Sequence, residues 1–292
     1  RIDNGEWQPE SEILQVDRKL RSHYGIELRA GNMVQPWYAN NTEAEVKGKV
    51  RLRFPFYVER LSDEITLVME SPGHFNVQVN GRSIDTSKQA GTWMDICFHK
   101  IPLDPLVLVK GLNTVELETD FHAGIDLEAI YLIGDFGVRI EGTERMIESL
   151  PETLAPGDLS DQGLPFYSGG VTYLLELDRR HVNLNPHSER MFLMLPQFSG
   201  ACVKIRSDHT APQIIAWQPY EADITEAVRL PCTIQLHVLL TRRNTFGPLH
   251  QKPLIAPFYG PGNFVTEGEG FSENYMLIKQ GLLSPPVVSV RT

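Results

Sequence analysis

From Gly48 onward, apolar residues alternate with polar or small ones. Val50, Leu52, Phe54, Phe56 and Val58 form the first such run. Ile65, Leu67 and Met69, then Phe75, Val77 and Val79, then Val115 and Leu117 repeat it. A period of two sends successive side chains to opposite faces, so each run predicts a strand with one face toward a core. Turn signals such as Asn80-Gly81 and Lys110-Gly111 separate the runs. Asn-Gly supplies the left-handed backbone that a tight hairpin requires. Short strands at this spacing predict an antiparallel all-β sandwich. Helical signal is confined to residues 10–23, where Ile13, Leu14, Val16 and Leu20 fit either one short helix or an irregular strand.

The order of elements in the first half recurs in the second. Residues 49–54 correspond to 170–175, 64–70 to 190–196, 75–80 to 200–206, Trp93 to Trp217, and 113–117 to 232–236, at separations of 119 to 126 residues. That is the length of one sandwich domain. The prediction is two tandem antiparallel β-sandwiches, at 49–140 and 166–243. An aperiodic linker at 141–165 joins them. Irregular extensions at 1–48 and 244–292 flank them, the second packed on the sandwiches.

Composition narrows the functional classes. The 292 residues carry a formal net charge of −10 without a basic cluster, which argues against nucleic acid and anionic membranes as partners. No apolar run approaches the ~20 residues of a membrane helix. Cys97, Cys202 and Cys232 are odd in number and contain no CxxC pair. They are expected to be buried, reduced thiols in a reducing compartment, hence a cytoplasmic location. A first residue Arg1 and an opening that reads as mid-sheet suggest an excised piece of a longer polypeptide.

The second half contains Phe166-Tyr167-Ser168-Gly169 at a strand entry, then Trp217-Gln218-Pro219-Tyr220-Glu221-Ala222-Asp223-Ile224-Thr225, then a last strand from Thr233 to Leu239. Over about residues 164–243 this resembles the galactose-binding-like jelly rolls of large bacterial glycoside hydrolases. These are the sugar-binding domain of family 2 and the C-terminal sandwiches of rhamnosidase-type enzymes. Val79-Asn80-Gly81 and Leu112-Asn113-Thr114-Val115-Glu116-Leu117 look like the same module in the first half. The second copy has Arg206-Ser207-Asp208-His209 where the first has Asn-Gly. The resemblance implies carbohydrate as a partner and a catalytic domain elsewhere in the polypeptide. It implies no cofactor, although related modules often hold a structural calcium ion. Read without the family, Asp223 and Thr225 are expected to bond local backbone where a strand leaves the sheet. Trp217 and Tyr220 are expected to fill the core between sheets.

Candidate chemistry is sparse. Glycoside hydrolysis needs two carboxylates about 5 to 9 Å apart. Glu267, Glu269 and Glu273, beside Phe264, Phe271 and Tyr275, are the best cluster, on a glycine-flanked loop. His181, Asn183, Asn185 and His187 lack zinc spacing and read as a loop. Ser168 lacks the Gly-x-Ser-x-Gly frame, and no phosphate-binding glycine motif occurs. No residue is assigned a catalytic or metal-binding role. Sugar recognition uses aromatic faces framed by amides and charged groups. The candidates are Trp37, Trp217 and Tyr220, with Tyr38 and Trp93 behind them, and the loop bearing Arg243, Asn244, Phe246 and His250. The expected function is a non-catalytic, carbohydrate-associated region of a larger glycoside hydrolase that buttresses or completes its sugar site. The alternatives are an autonomous carbohydrate-binding module and a small hydrolase using the tail carboxylates.

Overall fold

The computed structural model describes residues 1–29, 45–62, 64–177, 188–229 and 233–292. The alternation after Gly48 becomes an 11-residue strand, β1 (Gly48–Val58), which buries Val50, Leu52, Phe56 and Val58. It is followed by β2 (Ile65–Met69), β3 (Asn76–Val79), β4 (Arg82–Ile84), β5 (Thr92–Trp93) and β6 (Asp95–Leu103). Then come β7 (Gly111–Phe121), β8 (Tyr131–Gly134), β9 (Gly137–Glu141) and β10 (Glu144–Glu148). They form a sheet ordered β4-β3-β7-β1-β10-β9 and a second ordered β5-β6-β2-β8. Every pairing is antiparallel except β1 with β10. One apolar cluster, including Val50 and Leu117 from the first sheet and Leu67 and Ile101 from the second, makes these a sandwich. The β3–β4 hairpin turns at Asn80 and Gly81, both left-handed at φ 50° and 76°.

Residues 10–23 resolve in favour of a helix, α1 (Ile13–Tyr24). The Glu12 carboxylate caps its start by accepting from the N–H groups of Leu14 and Gln15. Left-handed Gly25 ends it. Leu20 is buried, and Ile13, Val16 and Tyr24 pack against the first core.

The second unit contains β11 (Gly170–Glu176), β12 (Arg190–Met194), β13 (Phe198–Ser199), β14 (Cys202–Arg206) and β15 (Gln213–Ile215). After these come β16 (Glu221–Asp223), β17 (Thr233–Leu239), a short helix α2 (Arg243–Phe246), β18 (Gly281–Leu282) and β19 (Val287–Arg291). The order β11-β17-β14-β15 matches β1-β7-β3-β4 position for position, and β16-β12-β19 matches β6-β2-β8. The core of the second unit includes Val171, Leu193, Val203, Ile215, Ile224 and Leu236.

The boundaries differ from the sequence expectation. The first unit is residues 1–150 with 250–276, and the second is 151–249 with 277–292. The opening segment is part of the first unit: Ile2 bridges Val50, and α1 packs on the core. Residues 144–148 of the expected linker form β10, which continues the first sheet beyond β1. The C-terminal extension divides between the units, and its last strand, β19, pairs with β12. Residues 144–148 are too polar to show a period and strand pairing places them, whereas Val287 to Val290 is strand-like in the sequence itself and forms β19. Cys97 and Cys202 are free thiols of intermediate exposure rather than fully buried, and Cys232 lies outside the described residues.

Gly281 illustrates how closely the last segment fits. Its φ is +100°, and a Cβ there would stand 2.8 Å from Leu159 Cγ and 3.0 Å from Tyr173 Oη. Gly281→Ala is expected to destabilise the second unit by about 1–3 kcal/mol through strain and overpacking. Urea denaturation reports the loss, and hydrogen exchange should place it at β13 and β18.

Candidate functional site

After Ile215 enters the core, the chain leaves β15 and returns as β16, whose Glu221 faces Met194 and whose Asp223 faces Phe192 on β12. Asp223 Oδ1 accepts from the Thr225 N–H at 2.9 Å and its hydroxyl at 2.5 Å. Thr225 Oγ1 accepts from the Met191 N–H at 2.9 Å, and Gln213 Nε2 donates to the Asp223 carbonyl at 2.8 Å. Burial acts to raise the Asp223 pKa, but the Thr225 hydrogen bonds outweigh it and hold the carboxyl below its usual value. The Asp-Ile-Thr end of the phrase is thus a structural lock, as the residues alone suggested.

That lock holds the wall of a shallow cleft of ≈ 570 Å³, lined by Met194, Leu195 and Pro196 on one side and Gln218 to Glu221 on the other. Tyr220 is partly buried, edge-on to Phe198 at 4.9 Å between ring centroids. Glu221 accepts two hydrogen bonds from Arg291, at 3.0 and 2.6 Å. The Arg291 hydrogen bond is the leading cause that lowers the Glu221 pKa below the usual carboxylate value. Trp217, which precedes this wall, is 76% exposed. The sequence placed Trp217 in the core. Ile215, Ala222 and Ile224 are in the core, and the indole is left in solvent. Its counterpart Trp93 is partly buried against Tyr131 and Phe98, so equivalent positions in chain order have different surroundings.

The other predicted residues are dispersed. Arg243, Asn244 and Phe246 form α2 of the second unit. Asn244 is fully buried, and its amide donates to the Ile278 carbonyl and accepts from the Ile278 N–H, each at 2.9 Å. That leaves its side chain fastening the final segment rather than facing solvent. His250 belongs to the first unit, where Nδ1 lies 2.8 Å from the Ser272 carbonyl and the ring stacks on Phe271. Of the tail carboxylates, Glu267 pairs with Arg18 at 2.8 Å, and Glu269 and Glu273 are exposed. Trp37, Tyr38 and the stretch from His181 to His187 lie outside the described residues.

Sequence reasoning missed a titratable cluster in the first unit. Trp93, Phe98 and Tyr131 pack together with centroids 5.4 to 6.3 Å apart. Burial raises the Glu70 carboxyl above its usual pKa, and a hydrogen bond with Cys97 opposes it. Burial and a hydrogen bond with Asp95 push the Cys97 thiol up to about 12. Burial also raises Glu128, although Arg29 pairs with it at 2.5 Å. The one linear signal was a run of chemistry-bearing residues, Trp93 to Phe98, interrupting the apolar alternation. Left-handed Met94 and a register shift at Thr92/Trp93 mark the same place in three dimensions. Among the described residues no group of three or more His, Cys, Asp or Glu is placed to hold a metal ion. No helix among them is long and apolar enough to cross a membrane.

Fold and site together define an all-β protein of sandwich architecture with a shallow, aromatic-flanked cleft in its second unit. No family model matches the chain, and no curated protein matches it. Among solved structures, a rhamnosidase from Novosphingobium sp. PP1Y is similar to 84% of this chain at 16% identity, with a TM-score of 0.31. The match covers 22% of the rhamnosidase chain. An anti-sigma factor domain-containing protein matches 66% of this chain and 76% of its own at 12% identity, with a TM-score of 0.17.

Proposed function

We propose that this chain is a non-catalytic, carbohydrate-associated β-sandwich region of a larger glycoside hydrolase, with the Trp217 cleft as its sugar-contacting surface. The observation that carries this reading is the 76% exposure of Trp217, the residue that precedes in sequence a cleft wall whose polar side chains include Gln218 and Glu221. An indole left in water exposes a large apolar face that the C–H face of a pyranose can cover. The amide can donate and accept, and the carboxylate accepts from hydroxyl groups. The resemblance of the phrase from Trp217 to Thr225 to glycoside hydrolase jelly rolls supports the same class. A shallow site with a few hydrogen bonds, each contributing about 0.5–1.5 kcal/mol net, binds in the millimolar range. Such a surface completes or buttresses a sugar site on a catalytic domain of the same polypeptide.

NMR titration of the chain with common monosaccharides is the test. Weak binding that shifts the Trp217 indole and Gln218 amide signals, and that Trp217→Ala removes, is expected. Micromolar affinity for a glycan would move the assignment to an autonomous carbohydrate-binding module, which the exposed ring also favours. The absence of any shift at Trp217 would overturn both. Turnover of nitrophenyl glycosides that disappears in Glu267→Gln and in Glu269→Gln would instead establish a small hydrolase.

A further inference from the structure

We infer that the first unit carries a second small-molecule site, separate from the Trp217 cleft, which takes a neutral hydroxyl-bearing ligand the size of one sugar ring and releases it in acid. The site is a pocket of ≈ 310 Å³ at the end of the first sandwich where β1 and β3 begin and β7 ends. That volume lies at the lower end of the ~300–1,000 Å³ usual for small-molecule sites, so it suits one ring rather than a chain. Of its lining, Phe75 and Ile125 are buried, Glu118 and His122 half-buried, and Lys49 and Asn76 exposed.

Charge within this lining is already met. Lys49 Nζ lies 3.2 Å from Glu118 and 3.6 Å from Asp120, and Arg51 also donates to Glu118. Burial acts to raise the Glu118 pKa, but the hydrogen bonds from Lys49 and Arg51 outweigh it and hold the carboxyl below its usual value. An anion would have to compete with two carboxylates for Lys49, the one Lys or Arg in the lining. A metal ion would need a ring lone pair. The Nδ1 lone pair of His122 accepts from the Gly124 N–H at 3.1 Å, which leaves the ring proton on Nε2. His74, also in the lining, is by itself too few ligands for a metal. The lining therefore offers a close mixture of donors (amide, imidazole, ammonium) and acceptors (carboxylates, amide oxygen). That mixture suits hydroxyl groups, since each of them both donates and accepts.

The Gly124 bond also makes the pocket sensitive to acid. His122 and Ile125 close a turn through the Ile125 N–H and the His122 carbonyl at 3.0 Å, and both line the pocket. Protonation would set a second donor, Nδ1–H, against the Gly124 N–H and break the bond that seats the ring. His74, on the 3₁₀ turn Pro72–His74, stands 6.4 Å away between ring centroids and adds a like charge when both rings are protonated. Burial first, and His74 second, lower the His122 pKa from its ordinary value. Glu118 and Asp120 on β7 would favour the charged ring, but Lys49 on β1 engages both. The neutral ring, and with it the binding form of the pocket, prevails above about pH 6.5 and is lost as pH falls through the lowered value.

The experiment follows the imidazole signals of His74 and His122 by NMR on the whole chain. D-galactose, D-glucose and myo-inositol are the neutral probes, and inorganic phosphate and Zn²⁺ the ionic ones. At about pH 7.5 at least one neutral probe should shift the His122 signal, with an affinity on the order of millimolar. Affinity should weaken by up to about tenfold per pH unit below the His122 pKa. His122→Asn keeps a side-chain oxygen for the Gly124 N–H but takes up no proton, so binding read at His74 should persist without the pH dependence. His74→Gln should move the acid midpoint upward, and Trp217→Ala should leave binding intact. A His122 response to phosphate or Zn²⁺ and to no neutral probe would overturn the inference. So would no response to any probe, or a pH dependence that survives in His122→Asn. Loss of the response in Trp217→Ala would show a single site and overturn it too. A Trp217 signal that stays still while His122 shifts would remove the cleft reading alone.

Discussion

Arg21→Met is expected to destabilise the first unit by about 3–5 kcal/mol, the range for breaking a buried ion pair from one side. Arg21 is 4% exposed and Asp17, one helical turn earlier on α1, is 3% exposed. The guanidinium donates to Asp17 Oδ2 at 2.9 Å, to the Ile125 carbonyl at 2.8 Å and to Asp126 at 2.9 Å. Removing it leaves the buried Asp17 carboxylate with Arg29 as its cation, at 3.1 Å, and strips the Ile125 carbonyl of a donor. Asp126 provides the contrast, because its side chain is 60% exposed and water replaces the lost partner. Asp126→Asn should therefore cost under about 1 kcal/mol. Urea unfolding of both variants is the check. Equal small losses would show that the network behaves as a surface ion pair.

Asn113→Ala is the second large loss, expected at about 3–4 kcal/mol, since several buried polar groups lose partners together. The Asn113 side chain is 1% exposed. Its oxygen accepts from the Val109 N–H at 2.9 Å and from Asn80 Nδ2 at 2.7 Å. Its nitrogen donates to the carbonyls of Val109 at 2.7 Å and Gly111 at 2.9 Å. Asn80 in turn accepts from the Thr114 N–H and donates to the Val107 carbonyl, both at 2.9 Å. One amide therefore joins the segment before β7 to the hairpin turn between β3 and β4. Hydrogen exchange on the variant should accelerate first between Val107 and Thr114. Unchanged protection there, with stability near that of the parent, would show that water substitutes for the amide.

Asn113 also shows how much of the fold was legible in the sequence and where that legibility ends. It stood out within the phrase Leu112 to Leu117, which the second half repeats with Cys232 in its place. The strand that contains it was readable because Val115 and Leu117 alternate with polar residues, and β7 does bury them. Its bonds to Val109 and Gly111 are local, but the bond from Asn80, on the hairpin turn between β3 and β4, was not readable because that partner lies 33 residues away. Trp217 differs in the opposite direction. Its size and apolar character pointed to the core, yet Ile215 and Ala222 on either side enter the core while the ring remains in solvent. Residue type states how favourable burial would be, whereas the local direction of the backbone decides whether it happens.

By itself, the sequence determined the long alternating strands, such as β1 and β7, and the faces they bury. Side-chain alternation is a local property of each strand, and it needs no partner to be encoded. The strand orders β1-β7-β3-β4 and β11-β17-β14-β15 are the same. Only the tertiary structure decided which short segments complete each sheet and which polar groups meet. The division of the chain after Leu249 between the two units, the pairing of β19 with β12, and the reach of Arg291 across Phe192 to Glu221 belong to that second kind. Each depends on backbone hydrogen bonds or side-chain contacts between residues far apart in sequence. Such contacts leave no period along the chain, because any extended segment can satisfy an open strand edge and three-dimensional fit chooses among them.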